Sequence, residues 1–224
     1  MDTLQQSLTE HGYVVFDLRD RMNEALTQLE QAAEAAPLED WTQVINNNGR
    51  VQDLALNDPV LVKEHALARD RLFAGEFAYS FKRIDCAGEA RSAASEQVRS
   101  FLRSTLFTSM LADRFGSVVT GGEAVYINKF EEGDFLTTHC DRGADIAVVI
   151  SLTRDWDMNY GGLTFILSQD RTRILRTISP SFGEAVIFDT KGKPTPHFVS
   201  MVCAPRGRGR SSLVARLHIE RIKQ

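Results

Sequence analysis

A chain of 224 residues, 43% hydrophobic and 25% charged, is long enough to bury one substantial core, short for two, and unlike disordered or fibrous sequences in composition. Its formal net charge of −4 argues against a surface that tracks a phosphate backbone, so no nucleic-acid partner is expected, and no apolar run approaches a membrane span. The three cysteines, Cys86, Cys140 and Cys203, are odd in number and lack C-x-x-C spacing, which argues against a disulfide framework or zinc knuckle and, with no signal-peptide pattern in Met1 to Arg19, leaves a reducing, cytoplasmic compartment as the expectation.

In chain order, Thr9 to Asp17 reads as a turn into a short strand. Arg19 to Ala36 carries Met22, Leu26, Leu29, Ala32 and Ala33 at helical spacing, and Pro37 closes that helix. Asn46-Asn47-Asn48-Gly49 marks a loop, followed by a helix from about Asp58 to Ala74 with Pro59 in its first turn. Phe77 to Ile84 is strand-like. Ser92 to Phe115 has the period of one amphipathic helix, with Val98, Leu102, Leu106, Met110 and Leu111 on one side and Gly116 just past its end.

From Val118 the pattern changes to short β-branched and aromatic runs separated by Gly, Asp and Pro, at about 122–130, 145–153, 162–167, 172–177, 184–189, 197–203 and 211–220. The expected class is α+β with a mainly β core, a sandwich or jelly roll. No linker divides the halves, so 1–224 reads as one domain, with 1–117 a mainly helical buttress and 118–224 the core that carries chemistry.

Thr137-Thr138-His139-Cys140-Asp141 follows a predicted strand, and His197 opens a later one. Two imidazoles and one carboxylate on one face of an octahedral ion leave three positions open, the arrangement suited to iron(II) binding a co-substrate and O2 together. His139 and Asp141 share one side of an extended segment because side chains at i and i+2 point the same way. Thirteen residues after His197 come Arg210 and then Ser212, a guanidinium and a hydroxyl suited to the distal carboxylate of a five-carbon keto diacid. His218 is the other candidate third ligand, but neither Pro-His nor a following Arg-x-Ser accompanies it.

These residues resemble the 2-oxoglutarate/iron(II)-dependent oxygenases, in their prolyl 4-hydroxylase-like branch. The resemblance spans about Val118 to Ile219. It rests on Phe130-Glu131-Glu132-Gly133-Asp134 before His139-x-Asp141, on Leu152-Thr153-Arg154-Asp155-Trp156 with Gly161-Gly162-Leu163, and on Pro196-His197 followed by Arg210-x-Ser212. It implies a double-stranded β-helix with helices outside, iron(II) on His139, Asp141 and His197, 2-oxoglutarate as co-substrate on Arg210 and Ser212, and O2. An intact carboxylate at Asp141 leaves no vacancy for a halide, so hydroxylation of an aliphatic C–H bond is the implied outcome. Phe130 stands where members often carry a co-substrate-binding tyrosine, and Ser151 where some carry an aromatic hydroxyl. Tyr126 or Asn128, on the strand face of Phe130, would then complete the co-substrate site.

The remaining residues invite plainer readings. Cys140 is expected to point away from the metal as a buried structural thiol, and Arg216 to be a solvated strand arginine rather than a substrate contact. Trp156 with Gly161-Gly162 reads as a hairpin corner, and Arg206-Gly207-Arg208-Gly209-Arg210 as a loop delivering Arg210 rather than a nucleic-acid arm. Arg83, Glu123 and Arg142 are candidate clamps for the carboxylate and ammonium of an amino-acid substrate. A free amino acid or similar small metabolite is the favoured substrate. A protein side chain, or a non-catalytic iron- or 2-oxoglutarate-sensing module, are the alternatives.

Overall fold

In a computed structural model, which describes residues 3–88 and 92–222, the chain alternates helices and strands before settling into strands alone. Its elements are α1 (Thr3–His11), β1 (Tyr13–Asp17), α2 (Arg19–Glu34), β2 (Thr42–Asn47), β3 (Arg50–Ala55), α3 (Leu61–Phe73), β4 (Ala78–Asp85), α4 (Ala93–Arg103) and α5 (Thr105–Phe115). They continue with β5 (Ser117–Phe130), β6 (Phe135–His139), β7 (Ile146–Ser151), β8 (Thr164–Leu167), β9 (Ile174–Ile178), β10 (Glu184–Asp189), β11 (His197–Val199) and β12 (Arg210–Arg221).

The strands form one sheet in the order β1-β10-β7-β12-β5-β4-β6-β11-β8-β9, with β2 branching from β4 and β3 paired to β2. Every pairing is antiparallel. The sheet curls on itself: the ring of Phe188 on β10 stacks on that of His197 on β11, 4.1 Å between centroids, although the two strands lie near opposite ends of the order. Ala147, Ile166, Ile178, Val186 and Phe188, from both ends, share one buried cluster. This is the mainly β, jelly-roll architecture that the resemblance implies.

Strand alternation sorts the two faces. On β12, Leu213, Ala215 and Leu217 face the helices, where they pack with Ile127, Ile150 and Ile187 of the sheet and with Leu26, Leu29, Val98, Phe107 and Leu111 of α2, α4 and α5. The intervening Arg210, Ser212, Val214 and Arg216 point inward, as do Tyr126, Asn128 and Phe130 of β5 and Val149 and Ser151 of β7. Polar side chains thus line a barrel whose apolar mass lies outside it, under the helices.

Several elements differ from expectation. Asn46–Gly49, read as a loop, lies at the centre of the unexpected β2–β3 hairpin, whose turn residues Asn48 and Gly49 are both at positive φ (53° and 94°). The expected helix over Ser92–Phe115 is two: Ser104, extended at φ −63° and ψ 146°, ends α4 while its Oγ accepts the Phe107 N–H of α5. Gly116 does cap α5 in the left-handed region, at φ 57°. α1 was not expected, and the residues before Ser117 contribute β1 to β4 to the sheet as well as helices. No helix among the described residues is long and apolar enough to cross a membrane.

Candidate active site

The β6–β11 pair sets the two histidines directly opposite one another, His197 in register with His139. Their ring centroids lie 4.3 Å apart. Asp141, two residues beyond His139, turns its carboxylate to both: Oδ2 is 3.6 Å from His197 Nε2 and Oδ1 is 3.9 Å from His139 Nε2. One ligand atom from each of the three lies within 4.8 Å of the others. Each Nδ1 faces a backbone carbonyl two residues upstream, Thr137 O at 3.1 Å and Thr195 O at 2.9 Å. A carbonyl only accepts, so each Nδ1 carries the proton and each Nε2 offers its lone pair to the shared centre.

Burial favours the neutral rings. It is the main cause that lowers the His139 pKa to about 4, helped by the neighbouring His197, and it lowers that of His197 too. For Asp141, burial pushes the pKa up but His197, His139 and Arg216 together outweigh it, and the carboxyl titrates below its ordinary range. Two neutral imidazoles and an ionised carboxylate are the protonation states a divalent ion requires.

Deeper in the barrel is a second set. β12 pairs with β5 so that Arg210 lies opposite Phe130 and Ser212 opposite Asn128, while Ser212 also lies opposite Ser151 of β7. Arg210 is 5% exposed and donates to Gly162 O at 2.5 Å and Thr164 Oγ1 at 3.2 Å, with no carboxylate partner among the described residues. Burial lowers its pKa to about 10, which still leaves it charged at neutral pH. Arg210 Nε, Ser212 Oγ and Asn128 Oδ1 are buried without a hydrogen-bond partner, and all three residues line one cavity with His139, Asp141 and His197. Buried polar atoms are rarely left unpaired, and two of these, the Arg210 N–H and the Ser212 hydroxyl, can donate to a small dianion lying against the triad, whereas Asn128 Oδ1 only accepts. Tyr126, whose phenol burial raises to about 12, lines the same cavity and stays protonated, and Ser151 lines it too. Thr164 and the Gly162 carbonyl, which hold the Arg210 guanidinium, were not singled out from the sequence; inward alternation on β8 is the only signal that marks Thr164.

A cleft of about 670 Å³ opens in front of the triad and includes Arg83, Arg142 and Arg216 in its walls. Arg83 makes an ion pair with Asp53 at 2.8 Å, and Arg142 is exposed at the mouth. Glu123 does not join them: it is exposed on β5 and accepts from His218 at 3.0 Å. His218, which also faces Asp145, lies apart from the triad. Two expectations are corrected here. Arg216 is half-buried and donates to Asp141 Oδ1 at 2.8 Å instead of standing in solvent, and Cys140 is partly exposed on the cleft wall rather than buried. A larger cleft, about 970 Å³, lies between α2 and the Arg206–Gly209 loop and contains none of the triad.

The loop before Arg210 is anchored by Arg208, which donates to the carbonyls of Arg154 and Asp155, and Trp156 Nε1 donates to Gly161 O at 2.9 Å across the turn.

Residues 125–218, which contain the triad, Arg210 and Ser212, match the 2OG-Fe(II) oxygenase superfamily. No curated protein matches the sequence. Among solved structures, a 2OG-Fe(II) oxygenase family oxidoreductase from Burkholderia pseudomallei is similar at 20% identity, over 96% of this chain and 88% of that one, with TM-score 0.56. A prolyl-4-hydroxylase from Pseudomonas putida is similar at 19% identity, over 96% of each chain, with TM-score 0.52. A Trichoplax adhaerens prolyl hydroxylase, in complex with a hypoxia inducible factor oxygen degradation domain peptide fragment, is similar at 16% identity, over 96% of this chain and 87% of that one, with TM-score 0.58. At these identities the structures speak to fold alone, and the superfamily match to chemistry. Residues 125–218 are thus similar to the 2OG-Fe(II) oxygenases, dioxygenases that use iron(II), 2-oxoglutarate and O2, and the chain around them has a prolyl 4-hydroxylase-like fold.

Proposed function

We propose that the protein hydroxylates an aliphatic C–H bond of a small metabolite, converting R–H, O2 and 2-oxoglutarate into R–OH, succinate and CO2. The observation that carries this reading is the convergence of three potential ligand atoms within 4.8 Å beside a buried arginine that has no acid of its own. Iron(II), when bound, would supply the O2 activation that an unactivated C–H bond demands. In this reading all 224 residues serve as one oxygenase domain.

His139, Asp141 and His197 are assigned as the metal ligands. Arg216 holds Asp141 Oδ1, which turns Oδ2 toward His197 and fixes the carboxylate from outside the ligand set. Arg210 pairs with the distal carboxylate of 2-oxoglutarate, Ser212 adds a hydroxyl donor, and Tyr126 and Asn128 offer the polar contacts that Phe130 cannot make. The apolar ring of Phe188 against His197 keeps water off that side of the site. A cleft of about 670 Å³ suits one small ligand, which supports a metabolite over the protein side chain that the peptide complex of the Trichoplax neighbour would suggest.

Anaerobic loading of the protein with iron(II) and 2-oxoglutarate, followed by air, tests the reading through succinate release. The expected outcome is slow succinate formation without added substrate, lost together with stoichiometric iron binding in His197→Ala. Tight binding of both with no succinate at all would instead support a sensing module.

A further inference from the structure

The walls of the cleft are unusual in charge. Four guanidiniums line it, those of Arg83, Arg142, Arg171 and Arg216, against a single carboxylate, Asp141, already engaged by two histidines and Arg216. Arg83 is partly neutralised by Asp53, yet its Nε is buried without an acceptor, and so is that of Arg216. Arg142 and Arg171 have no ion-pair partner among the described residues. Arg171 stands out further because its φ is 61°, where β-turns ordinarily place Gly, Asn or Asp, so the β8–β9 turn holds a strained arginine at the mouth.

The rest of the wall is aromatic. Phe77, Tyr79, Phe81 and Tyr126 form a continuous series with successive centroids 5.8, 5.5 and 6.4 Å apart. The cleft reaches His139 and Asp141, so whatever fills it lies beside the triad. Among the described residues an ammonium group would meet no free carboxylate there, since Asp53 is on Arg83 and Glu123 is turned to His218.

We propose that the substrate is a small organic acid without an ammonium group, its anion held by the arginines of the cleft and its apolar or aromatic body laid along the Phe77–Tyr126 wall. This narrows the hydroxylase reading and rests on it for the reaction. It also replaces the amino-acid expectation, because half of the clamp that expectation needs is missing. Unpaired guanidinium N–H groups in a concave apolar site select carboxylate-like acceptors over neutral amides, which offer no charge.

The test uses the full-length protein with iron(II) and 2-oxoglutarate. Hexanoate and 3-phenylpropanoate are each compared with the primary amide and with norleucine and phenylalanine respectively, which add an ammonium. Calorimetry under argon reads binding, and succinate release in air reads turnover. Both acids are expected to bind and to raise succinate formation at least about tenfold over the amides and amino acids, as charge-assisted hydrogen bonds imply. Arg83→Met and Arg171→Gly, the latter matched to the turn's backbone, should each raise KM for the acids by about tenfold or more with a smaller change in kcat. Acid-selective binding with no succinate would sink the hydroxylase reading and leave the acid site standing. Succinate without discrimination between acid and amide would do the reverse. An acid preference that survives both substitutions, or stimulation confined to an acidic peptide, would also overturn the assignment.

Discussion

Arg210 is the residue whose environment makes the sharpest demand. A guanidinium 5% exposed, with one donor unpaired and no acid beside it, is unfavourable in the ligand-free protein and favourable once a carboxylate arrives. Arg210→Met should therefore keep or raise the melting temperature of the ligand-free protein while raising Kd for 2-oxoglutarate on the order of a hundredfold, the scale of lost charge-assisted hydrogen bonds. A melting-temperature series with and without 2-oxoglutarate checks both halves, and a variant still stabilised by the co-substrate would contradict them. The histidines set a pH dependence of stability. Because the folded-state pKa of His139 is depressed from 6.5 to about 4, the unfolded chain binds the proton more readily across that interval. Metal-free stability is thus full above pH 6.5 and declines as pH falls toward 4, with Asp141 adding a further loss below its ordinary 3.8. Urea midpoints across this range should show a shallower slope in His139→Asn than in the parent. That His139, Asp141, His197, Arg210 and Ser212 line one cavity was expected from the sequence because few residue types can do this chemistry and their order is restrictive. Arg216 and Arg171 were not, since a strand or turn arginine in sequence carries no mark of what it faces.

At the level of elements, the β half was readable because inward and outward side chains alternate, and β10 falls over Glu184–Asp189, the run the pattern predicts. The β2–β3 hairpin was missed although Asn48-Gly49 is a strong two-residue turn signal, because β2 is buried on both faces over Gln43–Asn46 and shows no alternation. The break at Ser104 was hidden for a related reason: apolar residues on both sides keep nearly the same helical phase, and the kink is signalled only by a serine that can cap. Gly161-Gly162, expected as a turn, does more than turn. Gly162 at φ 63° presents its carbonyl to Arg210, and a Cβ there would stand 2.9 Å from Val202 Cγ2 and 3.2 Å from Arg210 Cδ. Gly162→Ala should cost at least about 1 kcal/mol of stability through backbone strain. It should also displace the guanidinium, so Kd for 2-oxoglutarate rises while iron affinity measured without it is retained. Equal losses of both affinities would mean that the turn supports the whole barrel rather than the arginine.

For the molecule as a whole, neither the curl of the sheet nor the seat of the helices can be read from local pattern, since both depend on contacts between residues far apart in the chain, such as Phe188 with His197 or Leu26 with the outer face of the sheet. The helices matter to the site only indirectly. α2 shares its buried cluster with the outward residues of β5, β7, β10 and β12, and the inward residues of β5, β7 and β12 line the cavity that holds Arg210 and Ser212. If helices and barrel are one cooperative unit, damage to the helical layer must appear in the site at the same denaturant concentration. Leu26→Ala, at a fully buried position on α2, should cost about 2–5 kcal/mol through lost burial and the cavity left behind. Helical circular dichroism and 2-oxoglutarate binding should then shift to lower urea together, with binding unchanged well below the transition. A helical signal that melts first while the co-substrate still binds would show that the helical layer and the sheet are separable, and that the barrel stands without the layer packed on its back.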